Sequence, residues 1–249
     1  MSGHSHWAGI KHKKGIVDAK KGKVFSKVAK QITIAARRGG GDLNANLTLK
    51  YAVEKARSVN MSKDSIERAI KKGTGEIAGE ELVQIVYEGF GPGGVAILVD
   101  CLTDNRNRTA GEIRKLFDSH GGRLAGVGQV AWMFSQKGLI SVDAAAASED
   151  DLMEIALDAS AEDMERVGSS YELTCLPAAF ERLKAGLAAG RIPMGVCEIT
   201  MIPQNVVELD EDSGRKVLSL MEKLEDHDDV QNVYANFKLP EAMLIEHTS

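Results

Sequence analysis

The side chains whose chemistry is easiest to name are cations crowded at the start of the chain. Lys11, His12, Lys13 and Lys14 are consecutive, Lys20, Lys23, Lys27 and Lys30 recur at steps of three or four, and Arg37 and Arg38 close the run. Residues 1–41 carry ten Lys or Arg and one acid, Asp18. Such density suits a polyanion, because each neutralised phosphate releases condensed counterions. Trp7 would either stack on a base or plug the leading arm onto the helices behind it. The Lys20, Lys23, Lys27 and Lys30 spacing predicts one stripe along a helix, continued by Arg37. Like charges so placed cost a few tenths of a kcal/mol per pair, so the stripe calls for an anion over it. That anion is either nucleic acid or the chain's own acidic remainder, onto which the basic helix would dock.

A second cation pair, Arg106 and Arg108, lies in the run TDNRNRT. Thr109 and Glu112 form a capping-box pattern, so a helix is predicted from Thr109, with both arginines beside its N-terminus. They are a possible anion site, or they pair with acids of this chain. No other constellation stands out. His4, His6 and His12 lack cysteine or acidic co-ligands at zinc spacing, so no metal is expected. Gly89, Gly91 and Gly94 satisfy G-x-G-x-x-G, but VAILVD follows where a dinucleotide fold needs a helix, so a hairpin is expected instead. No nucleophile–base set or phosphate loop is present. The expectation is no catalytic residue, no cofactor, no small-molecule substrate and no enzyme.

Periodicity places the elements around these groups. Val24, Val28 and Ile32 back the lysine helix, which the glycines at 39–41 end. A second helix is predicted over 43–59, with Ala45, Leu49, Ala52, Val53 and Ala56 inward. A third follows the N-cap Ser62, with Met61 and Ile66 as a staple, and stops at Gly73. The second and third helices have helix-turn-helix lengths, but charge concentrated upstream of them favours backbone contact over base readout. Beyond a polar linker come strands over 82–88, 95–102 and, from the alternation of Val130, Trp132 and Phe134, a third. A βαβαβ stretch follows, with strands at 139–142, 171–176 and 197–202, a helix over 149–164 and a second helix opened by Pro177 with Phe180, Leu183 and Leu187 inward. A closing helix and strand (214–225, 230–237) are predicted to return to the earlier sheet.

The totals sharpen the picture. The 249 residues carry a net charge of -5, but 17 basic and 5 acidic residues fall within 1–75, a balance of +12, leaving -17 for the rest. Asymmetry of this kind points to a polyanion or membrane-surface contact through the basic part. Cys101, Cys175 and Cys197 form no C-x-x-C pair and are odd in number, which predicts reduced, buried thiols. No stretch has the length of a membrane span, so a cytoplasmic protein with no membrane partner is expected.

The motifs GHSHWAGIKHKK, KGKVFSKVAKQI, YEGFGPGGVAILVD, TDNRNRT, VAWMF and EITMIPQNVVEL together resemble the YebC/PmpR family across essentially the whole chain. The resemblance implies an α+β protein: an N-terminal three-helix bundle followed by two small α+β, ferredoxin-like domains, the third inserted in the second. The boundaries read from the sequence are 1–75, 80–135 with 204–240, and 136–203. The family is named for probable DNA-binding transcriptional regulators. Its mitochondrial relatives activate translation, and some bacterial members are described as ribosome-associated factors that relieve stalling. The implied partners are DNA and/or ribosomal RNA.

Overall fold

The computed structural model describes residues 21–79, 81–240 and 243. Three helices come first: α1 (Lys21–Gly39), α2 (Leu47–Ser58) and α3 (Lys63–Thr74). Their core joins Val28, Ile32, Ala35 and Ala36 of α1 to Leu49, Val53 and Ala56 of α2 and Ile66 and Ala69 of α3. Asn46, not a residue near 43, starts α2. Its Oδ1 accepts from Leu49 N while its Nδ2 donates to Ala35 O (2.9 Å) and Gly40 O (2.8 Å). One buried amide thus caps one helix and satisfies the end of another. Ser62 caps α3 as expected, accepting from Ser65 N.

The chain then enters a four-stranded sheet. β1 (Val83–Phe90) and β2 (Ala96–Thr103) form an antiparallel hairpin. Its connection, Pro92–Gly94, needs left-handed backbone at Gly93 (φ 69) and Gly94 (φ 76), which explains the glycines without any nucleotide. α4 (Arg106–Ser119) and β3 (Arg123–Leu124) follow, and β9 (Val230–Ala235) returns to give the order β3-β1-β2-β9. β2 is buried on both faces and reads as a continuous apolar run. Ile97, Val99 and Cys101 pack under α4 and α7 (Glu211–Asp226), meeting Ile113, Phe117, Val217, Leu220 and Leu224. Ala96 and Leu98 face the other way, onto Val130 and Phe134.

Between β3 and α7 lies the insert: β4 (Phe134–Asp143), α5 (Glu149–Asp158), β5 (Asp163–Val167), β6 (Ser170–Cys175), α6 (Phe180–Ala189) and β7 (Cys197–Pro203). The order β5-β6-β4-β7, all antiparallel, is that of a βαββαβ ferredoxin-like unit. A short parallel pair, β8 (Val207–Glu208) with β10 (Phe237–Lys238), closes the host unit. The architecture is therefore α+β, with the third unit inserted in the second.

Several predicted elements shift, each for a local reason. The helix predicted over 149–164 ends at Asp158, and β5 follows, carrying the alternation Met164 and Arg166 against β6. The strand read from Val130, Trp132 and Phe134 is a 3-10 turn over Ala131–Met133. It leads into a single long β4 rather than a strand confined to 139–142. The helix predicted from Thr109 begins at Arg106, because Asn105 accepts from Arg108 N and the Thr109 hydroxyl is engaged elsewhere. The thiols are free, buried at Cys101 and Cys175 and half-buried at Cys197. Burial, aided by the Asp100 and Asp229 carboxylates, pushes Cys101 up to about 12. Among the described residues no helix is long and apolar enough to cross a membrane.

Gly73 sets the bundle's tightest approach. A Cβ there would lie 2.4 Å from Thr33 O and 2.6 Å from Ala36 Cβ, both on α1. Replacing Gly73 with Ala should push α3 off α1 and destabilise the bundle by about 2 kcal/mol. Thermal unfolding followed by helical circular dichroism measures this as a lowered midpoint.

Candidate nucleic-acid interface

Lys11, His12, Lys13, Lys14 and Lys20, with Trp7, lie outside the described residues. The rest of the predicted basic surface can be located, and much of it faces inward. Lys23 Nζ donates to Asp226 O (3.0 Å) and lies 3.6 Å from Asp228 Oδ1. Lys27 Nζ donates to Glu225 O. Lys30 Nζ reaches Asp228 O at 3.3 Å, Leu102 O at 3.4 Å and Asp229 Oδ1 at 2.8 Å. Arg37 donates to Leu82 O (3.1 Å). Lys23, Lys27 and Lys30 therefore sit over the C-terminal end of α7. There carbonyls without helical partners and the negative end of the helix dipole favour cations. This is the docking alternative considered for the stripe. Lys23 keeps a side chain 52% exposed, and Arg38 is exposed at the end of α1, where its charge bears on Asp100.

Asp229 is the centre of the joint. Its side chain is only 5% exposed. Oδ1 accepts from Lys30, and Oδ2 accepts from Arg108 Nη2 and Thr109 Oγ1, each at 2.8 Å. Burial alone would raise the carboxyl, but the hydrogen bonds from Lys30, Arg108 and Thr109 prevail and hold it well below the usual carboxylate range. Arg108 also pairs with Asp104 at 2.8 Å. Of the proposed anion pair, then, Arg108 binds acids of its own chain. Arg106 is exposed, its carbonyl accepting from Tyr87 Oη. The two arginines are not brought together on one open site.

Glu112, His227 and Asp229 place ligand-type atoms within 4.8 Å of one another. His227 Nδ1 accepts from Asp229 N, which assigns the proton to Nε2, 2.9 Å from Glu112 Oε2. Lys30 and Arg108 already neutralise Asp229, so a divalent ion would have to displace two cations. The trio works as a hydrogen-bonded brace. A second brace ties the bundle to the insert. Tyr51 Oη donates to Glu181, its ring meets Phe180 at 6.3 Å, and Lys184 pairs with Glu54 at 3.6 Å.

The sequence reading passed over one feature. Glu88 is buried on the sheet face opposite α4, and its carboxylate accepts from Gly128 N (2.6 Å), Val130 N (2.5 Å) and Ala131 N (2.8 Å). These backbone donors overcome the effect of burial and hold its pKa below the ordinary glutamate value. They also explain why residues 130–133 form no ladder. The available signal was an acid between Val86 and Phe90 on one face of the strand. The loop so fixed shows Val127 and Trp132 to solvent.

Replacing Asp229 with Asn should destabilise the protein by about 3 kcal/mol, since Lys30 and Arg108 would lose their shared carboxylate. The native contribution is complete above the ordinary aspartate value of about 4. It is lost as pH falls towards the much lower folded value. Urea unfolding between pH 7 and 3 should therefore show the gap between native protein and variant narrowing as pH falls.

Two family models match the chain. The TACO1/YebC N-terminal domain covers residues 5–76, and the TACO1/YebC second and third domain covers 82–237. A probable transcriptional regulatory protein of Natranaerobius thermophilus is 51% identical over 98% of this chain and 99% of its own. Another, from Geobacter sulfurreducens, is 53% identical over 96% of both. The crystal structure of a conserved hypothetical protein of Aquifex aeolicus superposes with a TM-score of 0.84 at 44% identity, covering 95% of this chain and 98% of that one. Matched from the basic arm through β10, the chain belongs to the TACO1/YebC family.

Proposed function

We propose that this chain is a non-enzymatic, nucleic-acid-binding regulator of gene expression, acting on transcription as the names of its relatives state. The observation that carries this reading is the segregation of charge, +12 over residues 1–75 against -17 over the rest. Docking on α7 engages part of that excess. The arm residues Lys11, His12, Lys13, Lys14 and Lys20 then bear the phosphate contacts, with Lys23 and Arg38 at the rim. Lys50, Arg57, Arg68 and Lys71 add exposed cations on α2 and α3. Lys27, Lys30 and Arg37 hold the bundle in place behind that surface. The acidic insert turns nucleic acid towards this pole by repulsion.

A second reading has a specific observation behind it. If α2 and α3 were a helix-turn-helix, the start of α3 would face base edges. Asp64 and Glu67 are exposed there, and Lys63 is 3.6 Å from Glu67. Acids at that position oppose groove insertion and favour backbone contact, as ribosomal RNA would offer.

Replacing Lys11, Lys13 and Lys14 together with Gln should weaken binding to duplex DNA. It should also flatten the slope of log K against log salt by about 2.7. An unchanged slope would remove the arm from the interface. Salt-sensitive co-sedimentation with ribosomal subunits, with no preference among DNA sequences, would select the ribosomal reading.

A further inference from the structure

The loop over residues 125–133 is built at some expense and shows apolar groups to water. It contains no charged side chain. Val127 is 97% and Trp132 61% exposed. A buried carboxylate, Glu88, holds three of its amides. Gly126 N donates to Gln129 Oε1 (3.3 Å), and Trp132 Nε1 donates to Gln129 O (3.1 Å). The indole is therefore pinned by its one polar atom, which leaves its π surface and apolar edge to a partner. A cation flanks the loop two residues before its start. The Arg123 guanidinium sits 4.9 Å over the Phe90 ring, and Phe90 packs in one cluster with Ala131 and Met133, the neighbours of Trp132. Exposed apolar groups on a fixed scaffold mark a contact surface. A flat aromatic face with an arginine alongside complements a base and its phosphate.

We propose that Trp132 is a stacking platform for an unpaired base of single-stranded nucleic acid, with Arg123 holding the adjacent phosphate. The site rests on the nucleic-acid reading above but lies on the host sheet. It takes no paired base, because duplex bases offer no free face. Glu88 is a positioning residue that keeps the platform from folding back onto the sheet.

The chain has two tryptophans, so Trp7→Phe leaves Trp132 as the sole reporter. In that background a twelve-nucleotide single-stranded oligo-dT or oligo-U should quench Trp132 fluorescence, and a duplex of equal length should not. Trp132→Ala should weaken single-strand binding about tenfold, with duplex binding unchanged. Trp132→Phe should retain most of the affinity. Arg123→Gln should flatten the single-strand salt slope by about 0.7. Unaltered circular dichroism checks that each variant folds. Single-strand binding with no quenching and no effect of Trp132→Ala would overturn the proposal and leave the loop as a protein contact. Duplex binding without single-strand binding would overturn it alone, while loss of all nucleic-acid binding would overturn the proposed function as well.

Discussion

Asp229 carries a negative charge almost wholly out of water, and three elements converge on it. Lys30 arrives from α1, Arg108 and Thr109 from the first turn of α4, and the backbone of 227–229 from the end of α7. An isolated buried carboxylate is costly, so it is tolerable only while both cations stay in place. The joint is therefore more a device for specifying geometry than a source of net stability. If the bundle rotates away, Asp229 keeps only part of its compensation. The bundle's orientation on the host unit follows from that constraint.

The same joint changes how the lysine stripe should be understood. Lys23, Lys27 and Lys30 are spaced as a nucleic-acid-binding helix face would be, yet carbonyls at the end of α7 and the acids beside them take up that face. A helix C-terminus and a phosphate backbone offer similar chemistry: clustered oxygens bearing partial or full negative charge. Spacing alone could not distinguish an internal from an external anion.

Much of the fold could be read from periodicity. The buried faces of α1, α2 and α3 are the predicted ones except for Ala45, which is exposed ahead of α2; the glycine-rich run is a hairpin, and β9 returns to the sheet opened by β1. What escaped the reading depends on distant side chains. Thr109 and Glu112 have the form of a capping box, but Asn105 caps the helix because Asp229, 120 residues away, takes the Thr109 hydroxyl. Residues 130–134 alternate like a strand, but Glu88 removes the amides a ladder would need. β5 goes unread, with only Asp163 and Met164 inside the predicted helix, because its short, mixed run gains strand character only when β6 is beside it. Arg106 and Arg108 look equivalent in sequence, and only the position of Asp229 separates them.

The insert enters the host along β4 and leaves along β7, and these strands are partners, with Phe134 opposite Pro203. Gln204 N continues the pairing to Met133 O. To the host sheet, some seventy residues of extra chain look like one tight hairpin, because the entropy of closing that excursion is settled within the insert's own ladder. The host can thus form its core without waiting for the insert, and lineages can vary the insert's length and surface while β1, β2 and β9 remain in register. A narrow two-stranded neck is where such a unit would pivot, and the Tyr51 brace on one side and the packing of Ala96 and Leu98 on Phe134 and Met201 on the other restrain it.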